Sequence, residues 1–162
     1  MKKQIFIVIG VASLLVTALA VTAQVLVSPQ ENVRQGNSLV GSWDVVVTVR
    51  NCETGGAIFS FPAMITYNQG GTMNESDLGA PGLTRLHGHG TWSRGRAKDY
   101  SASFRWLNFN PDRSFAGTNI VRSAVRLSND GNSYTSTDTT ELHIDGNIIP
   151  IACGTQTATR FE

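Results

Sequence analysis

The chain has 162 residues, 13 Lys and Arg against 12 Asp and Glu, 41% hydrophobic residues and two cysteines. A balance this close to neutral, with no long basic run, argues against nucleic acid or another polyanion as partner. The length suits one domain with its own core better than two.

Met1-Lys2-Lys3 leads into an apolar run from Ile5 to Ala20, broken by Ser13 and Thr17, with the small residues Val21-Thr22-Ala23 before Gln24. That pattern predicts a signal peptide over residues 1–23 and a secreted or periplasmic protein. The alternative is an uncleaved anchor, since Ile5 to Ala23 would span about 28 Å as a helix. In that case the membrane is met only through this segment. No cysteine stands near the cleavage point for a lipid, the first being Cys52. Removing residues 1–23 leaves 139 residues with 11 basic and 12 acidic side chains. Residues 24–38, with Pro29, Gly36 and little apolar periodicity, read as a flexible lead to a domain over 39–162.

From Leu39 the pattern is that of strands and turns. Trp43, Val45, Val47 and Val49 alternate with Asp44, Thr48 and Arg50, the period of a half-buried strand. Ala57 to Tyr67 repeats it, with Phe59, Phe61, Ala63, Ile65 and Tyr67 on one face. Pro62 asks for an edge, a bulge or a bend there. Asn68-Gln69-Gly70-Gly71 turns into a short strand over Thr72 to Ser76. Asp77 to Thr84, with Gly79, Pro81 and Gly82, is irregular. Arg85 to Ser93, Tyr100 to Asn108, Phe115 to Leu127, Tyr134 to Ile144 and Ile148 to Phe161 complete about eight strands. Asn129-Asp130-Gly131-Asn132 and Asp145-Gly146-Asn147 are the clearest turns among them.

Short turns imply sequential antiparallel neighbours, and eight such strands close into an up-and-down barrel; an open sandwich is the alternative. The expected fold is therefore all-β, a single antiparallel barrel. An oxidising compartment makes a Cys52–Cys153 disulfide the expectation, with two free thiols as the alternative. In a barrel with an even strand number the last strand runs antiparallel to the first, so the two cysteines meet at one end. Cys52 opposite Cys153 then sets Val47 against Ala158 and Val45 against Arg160, with Arg160 on the inward face of Trp43.

Gly41-Ser42-Trp43 on the first strand resembles the Gly-x-Trp of lipocalins and their calycin relatives. Arg160 resembles the arginine near the end of those chains that packs across that tryptophan. The resemblance implies a calycin-like barrel closed at the Trp43–Arg160 end, and an interior that holds one small ligand. Small barrel isomerases and cyclases, similar to allene oxide cyclases, share the strand count.

The predicted inward set Phe59, Phe61, Tyr67, Phe104, Trp106, Phe115 and Val121 either fills the core or lines a cavity. Asn119, Ser123 and Ser136 lie in phase and offer polar contacts to a ligand. Asp138 shares the face of Tyr134 and Ser136, a candidate general acid or base beside Tyr67 or Tyr100, or else a hydrogen-bonded structural carboxyl. His87 and His89 share one face and suit a metal, with Glu141 or His143 as a third ligand; the plainer reading is a solvated face opposite inward Leu86 and Trp92. Arg94, Arg96 and Lys98 read as a solvated hairpin tip. With no serine-nucleophile, dithiol, phosphate-loop or helical zinc motif, no cofactor, metal or catalytic residue is assigned. The expected function is binding of a small, largely apolar molecule. A barrel isomerase or cyclase, and an interaction module with a solid core, are the alternatives.

Overall fold

A computed structural model of the chain describes residues 38–78 and 84–161. The predicted signal peptide, most of the lead, and Gly79, Pro81 and Gly82 lie outside the described residues. Nine strands run in chain order: β1 (Gly41–Arg50), β2 (Ala57–Tyr67), β3 (Thr72–Ser76), β4 (Thr84–Arg85), β5 (Gly88–Arg94), β6 (Asp99–Phe109), β7 (Phe115–Leu127), β8 (Ser133–Ile144) and β9 (Asn147–Arg160). Among the described residues there is no helix, hence none long and apolar enough to cross a membrane.

All pairings are antiparallel, and the order β5-β3-β2-β1-β9-β8-β7-β6 returns to β5 through the β5–β6 ladder. The barrel is closed, with eight strands and the two-residue β4 as an extra piece on β6. Closure removes the free edges that an open sheet would leave. The hairpin turns follow local chemistry: Asp145 and Gly146 both take positive φ, 49° and 77°, as a tight two-residue hairpin turn requires.

Alternation decides the interior. Trp43 and Val45 are buried while Asp44 and Val46 are exposed, and β7 repeats the pattern with Val121, Ser123, Val125 and Leu127 inside. One end of the barrel is filled. Leu39, Trp43, Tyr67, Met73, Leu127 and Tyr134 are fully buried there, and the Trp43–Tyr134 and Tyr67–Tyr134 rings meet edge to face at 5.0 and 6.1 Å. Arg160 lies 4.2 Å over the Trp43 ring and donates to the carbonyls of Ser38, Val40 and Gly131. The Trp43 indole in turn donates to the Leu39 carbonyl at 2.9 Å. These bonds tie the residues before β1 and the β7–β8 turn to the plug.

Cys52 and Cys153 form a disulfide, with Cα atoms 5.1 Å apart. The register differs by two residues from the expected one: Arg50 faces Cys153, Val47 faces Gln156, and Trp43 faces Arg160. Cys52 lies beyond the last β1 residue, in the Asn51–Gly56 turn, so it reaches Cys153 from the turn instead of from the ladder. A two-residue shift keeps parity, and the same side chains stay inside.

Two bulges overturn other expectations. The predicted strand from Arg85 to Ser93 is broken at Leu86 and His87. β4 pairs Arg85 with Asn108, whereas β5 pairs His89 with Arg105, one residue out of step. Such a step exchanges faces, so Arg85 turns into the barrel and Leu86, expected inside, is 52% exposed. Between Leu107 and Phe109 the β6–β7 register also slips. Phe115, expected inside, pairs there with Phe109 and is 56% exposed, packed against that ring at 6.2 Å.

Candidate functional site

Above the aromatic plug the barrel is hollow. A cavity of about 310 Å³ runs from Asp138 and Gln156 to the rim formed by Phe59 and Ile151, residues that are 52% and 47% exposed. It therefore opens at the end opposite Arg160. The volume lies at the small end of the range of ligand pockets, roughly 300–1,000 Å³. Val47, Val49, Phe61, Ile65, Phe104 and Val121 make the walls mainly apolar.

Two polar clusters interrupt that lining. At the inner end, the Asp138 carboxylate accepts from the Ser136 hydroxyl at 2.8 Å and the Gln156 side-chain amide at 2.9 Å. The Gln156 carbonyl accepts from the Tyr134 hydroxyl at 3.2 Å. Burial pushes the Asp138 carboxyl up from its ordinary value, held back by hydrogen bonds from Ser123, Ser136 and Gln156. Burial likewise raises the Tyr67 and Tyr134 phenols, so both stay protonated, and Tyr134 is the neutral donor to Gln156.

The second cluster stands on β3, β4 and the chain after β3. Arg85 forms ion pairs with Glu75 and, at 2.6 Å, with Asp77, all three side chains being almost fully buried. Its guanidinium lies 4.0 Å over the Trp106 ring. The Trp106 indole donates to Asn108, whose amide donates to Asn119, at 2.9 and 3.0 Å. Burial raises Glu75 to about 7, with Arg85 acting against burial and Asp77 reinforcing it. Gly88 makes the room: a Cβ there would stand 2.6 Å from a Glu75 carboxyl oxygen.

The residues proposed from sequence to meet a ligand divide. Phe59, Phe61, Phe104, Trp106, Asn119 and Val121 line the cavity. Tyr67 does not. It sits at the closed end of β2, 1% exposed, packed against Trp92 and Tyr134 in the plug. Asp138 lines the cavity. His87 and His89 are exposed outside the barrel; His87 bonds Ser76 at 2.9 Å, and His143 pairs with Glu141 at 3.0 Å on β8. Arg94 and Arg96 are exposed at the β5–β6 hairpin.

Sequence reading missed Glu75, Asp77, Arg85, Asn108 and Gln156. Glu75 follows buried Met73 by two residues and Gln156 precedes buried Ala158 by two, so strand parity places both inside. Arg85 had no such signal, because a bulge separates it from the strand that sets its apparent phase.

The arrangement defines a class: a closed antiparallel β-barrel with one sealed end and a small, mostly apolar cavity bearing buried carboxyls. Compared with known proteins, the chain matches no family model, no curated protein and no solved structure.

Proposed function

We propose that this protein binds a small, largely apolar molecule in the barrel interior, as a calycin-like or lipocalin-like carrier exported to an oxidising compartment. The observation that carries the reading is the 310 Å³ cavity, sealed by the Trp43–Arg160 end and open at the other. The rim supports it: Ile58, Phe59, Phe115, Ile148, Ile149 and Ile151 are all exposed, and all stand at the strand ends around the mouth. Export rests on the predicted leader and on the disulfide. The test is saturable fluorescence of a neutral apolar dye, N-phenyl-1-naphthylamine, with the purified disulfide-intact protein. Val121→Trp, which fills the cavity from β7, is expected to weaken uptake at least about tenfold, and a folded wild-type protein without saturable uptake rejects the reading.

A barrel isomerase or cyclase is the second reading, favoured by two buried carboxyls, Asp138 and Glu75, on one apolar cavity. Conversion of a captured substrate, lost in Asp138→Asn or Glu75→Gln while capture persists, would distinguish it from a carrier. Capture with no chemical change leaves the carrier reading standing.

A further inference from the structure

Resting on the binding reading above, we infer that the ligand carries a cationic amine, directed to Asp138 at the inner end of the cavity, on an aromatic or otherwise apolar body. The inference comes from a charge census of the lining. Among the described residues, the ionisable groups on the cavity are Glu75, Asp77, Asp138 and Arg85: three carboxyls and one guanidinium. Arg85 is committed, since its nitrogens meet both Glu75 and Asp77 and its face covers Trp106. No cation of the lining faces Asp138, whose hydrogen-bond partners are the neutral Ser123, Ser136 and Gln156.

A carboxylate accepts about four hydrogen bonds, and these three donors leave Asp138 room for a further one. An ammonium group supplies the missing donors and the missing charge together, and charge-assisted bonds of this kind are stronger than neutral ones. A fatty-acid-like ligand fares worse. Its carboxylate would meet Asp138 in a low-dielectric site where Arg85 is already paired, and like charges brought together there are unfavourable. The rest of the lining suits a flat apolar body, with Phe61, Phe104 and Trp106 on the same cavity. Its volume of about 310 Å³ favours a compact molecule over a long acyl chain.

Three ligands sharing one indole ring separate these effects: tryptamine (ammonium), tryptophol (hydroxyl) and indole-3-propionate (carboxylate). Titration calorimetry at neutral pH is expected to rank them in that order, with tryptamine about tenfold or more tighter than tryptophol. Asp138→Asn is expected to abolish the tryptamine advantage while leaving tryptophol affinity near the wild-type value. A measurement on the unmutated protein covers the case in which that variant does not fold. Tryptamine, and not tryptophol, should strongly shift the NMR signal of the Gln156 side-chain amide, the group that donates to Asp138. Equal or tighter binding of tryptophol or indole-3-propionate overturns the inference, as does an Asp138→Asn protein that keeps the preference. If N-phenyl-1-naphthylamine binds while the ranking fails, only the amine is wrong; if neither the dye nor any indole binds, cavity binding itself is wrong.

Discussion

Glu75 shows what the barrel interior does to a single group. The side chain is 3% exposed beside Arg85 and Asp77, and it retains its proton up to about pH 7 in place of its ordinary 4.5. Between those values the folded state holds a proton that the unfolded chain has released, so stability falls as pH rises through the interval and the full cost is present above about 7. Glu75→Gln keeps the shape and removes the titration. The expected outcome in urea unfolding is that wild type loses on the order of 1–3 kcal/mol relative to Glu75→Gln between about pH 4.5 and 8. Parallel pH profiles for the two proteins would mean that Glu75 is ionised throughout, held so by Arg85. The same burial gives Glu75 its interest in a binding site, because a carboxyl near its midpoint both accepts and donates.

At the scale of strands, what was legible depended on whether alternation ran unbroken. In β1, β2 and β7 buried and outward residues alternate most clearly from Trp43 to Val46, from Ala63 to Tyr67 and from Val121 to Leu127, so their inward residues followed from pattern alone. The cavity wall was therefore visible in Phe61, Phe104, Trp106 and Val121. The charged cluster was not. It depends on the one-residue step at Leu86–His87, which turns Arg85 inward, and no local residue preference announces a bulge there. Tyr67 failed for a different reason: parity places a side chain inside a barrel without saying how far along the axis the filled end extends. The disulfide joins the β1–β2 turn to β9 across 101 residues of sequence, and in the chain-entropy model closing a loop of about 100 residues stabilises by about 4.7 kcal/mol. The Cys52→Ser, Cys153→Ser double variant is accordingly expected to lose about 3–5 kcal/mol in chemical denaturation, with its far-ultraviolet spectrum unchanged below the transition. A loss under about 1 kcal/mol would show that the β1–β9 ladder alone constrains closure, and that the unfolded chain gains little freedom from the cut.

Across the whole molecule, stability should be graded along the barrel axis. The closed end concentrates the fully buried aromatic and aliphatic side chains, the Arg160 contacts and the Trp43–Arg160 and Val45–Ala158 pairs of the β1–β9 ladder. The mouth has the opposite character. β8 and β9 slip register between Thr140 and Glu141, and every residue from Asp145 to Ile151 is exposed. Local opening is easiest where few apolar contacts accompany the backbone hydrogen bonds, and a ligand-admitting end is drawn from that class. Amide hydrogen exchange should therefore find Val45 and Ala158 protected to nearly the global unfolding free energy. Amides of the β8–β9 hairpin around Ile144 and Ile148 should exchange about a hundredfold faster or more, through local opening. Saturating N-phenyl-1-naphthylamine is expected to slow exchange in that hairpin and in the start of β2, where Phe59 stands on the rim, because a ligand that binds only the closed mouth stabilises it by mass action. Uniform protection from plug to rim would mean that the barrel opens only as one unit, and a ligand would then have to enter without loosening the β8–β9 hairpin.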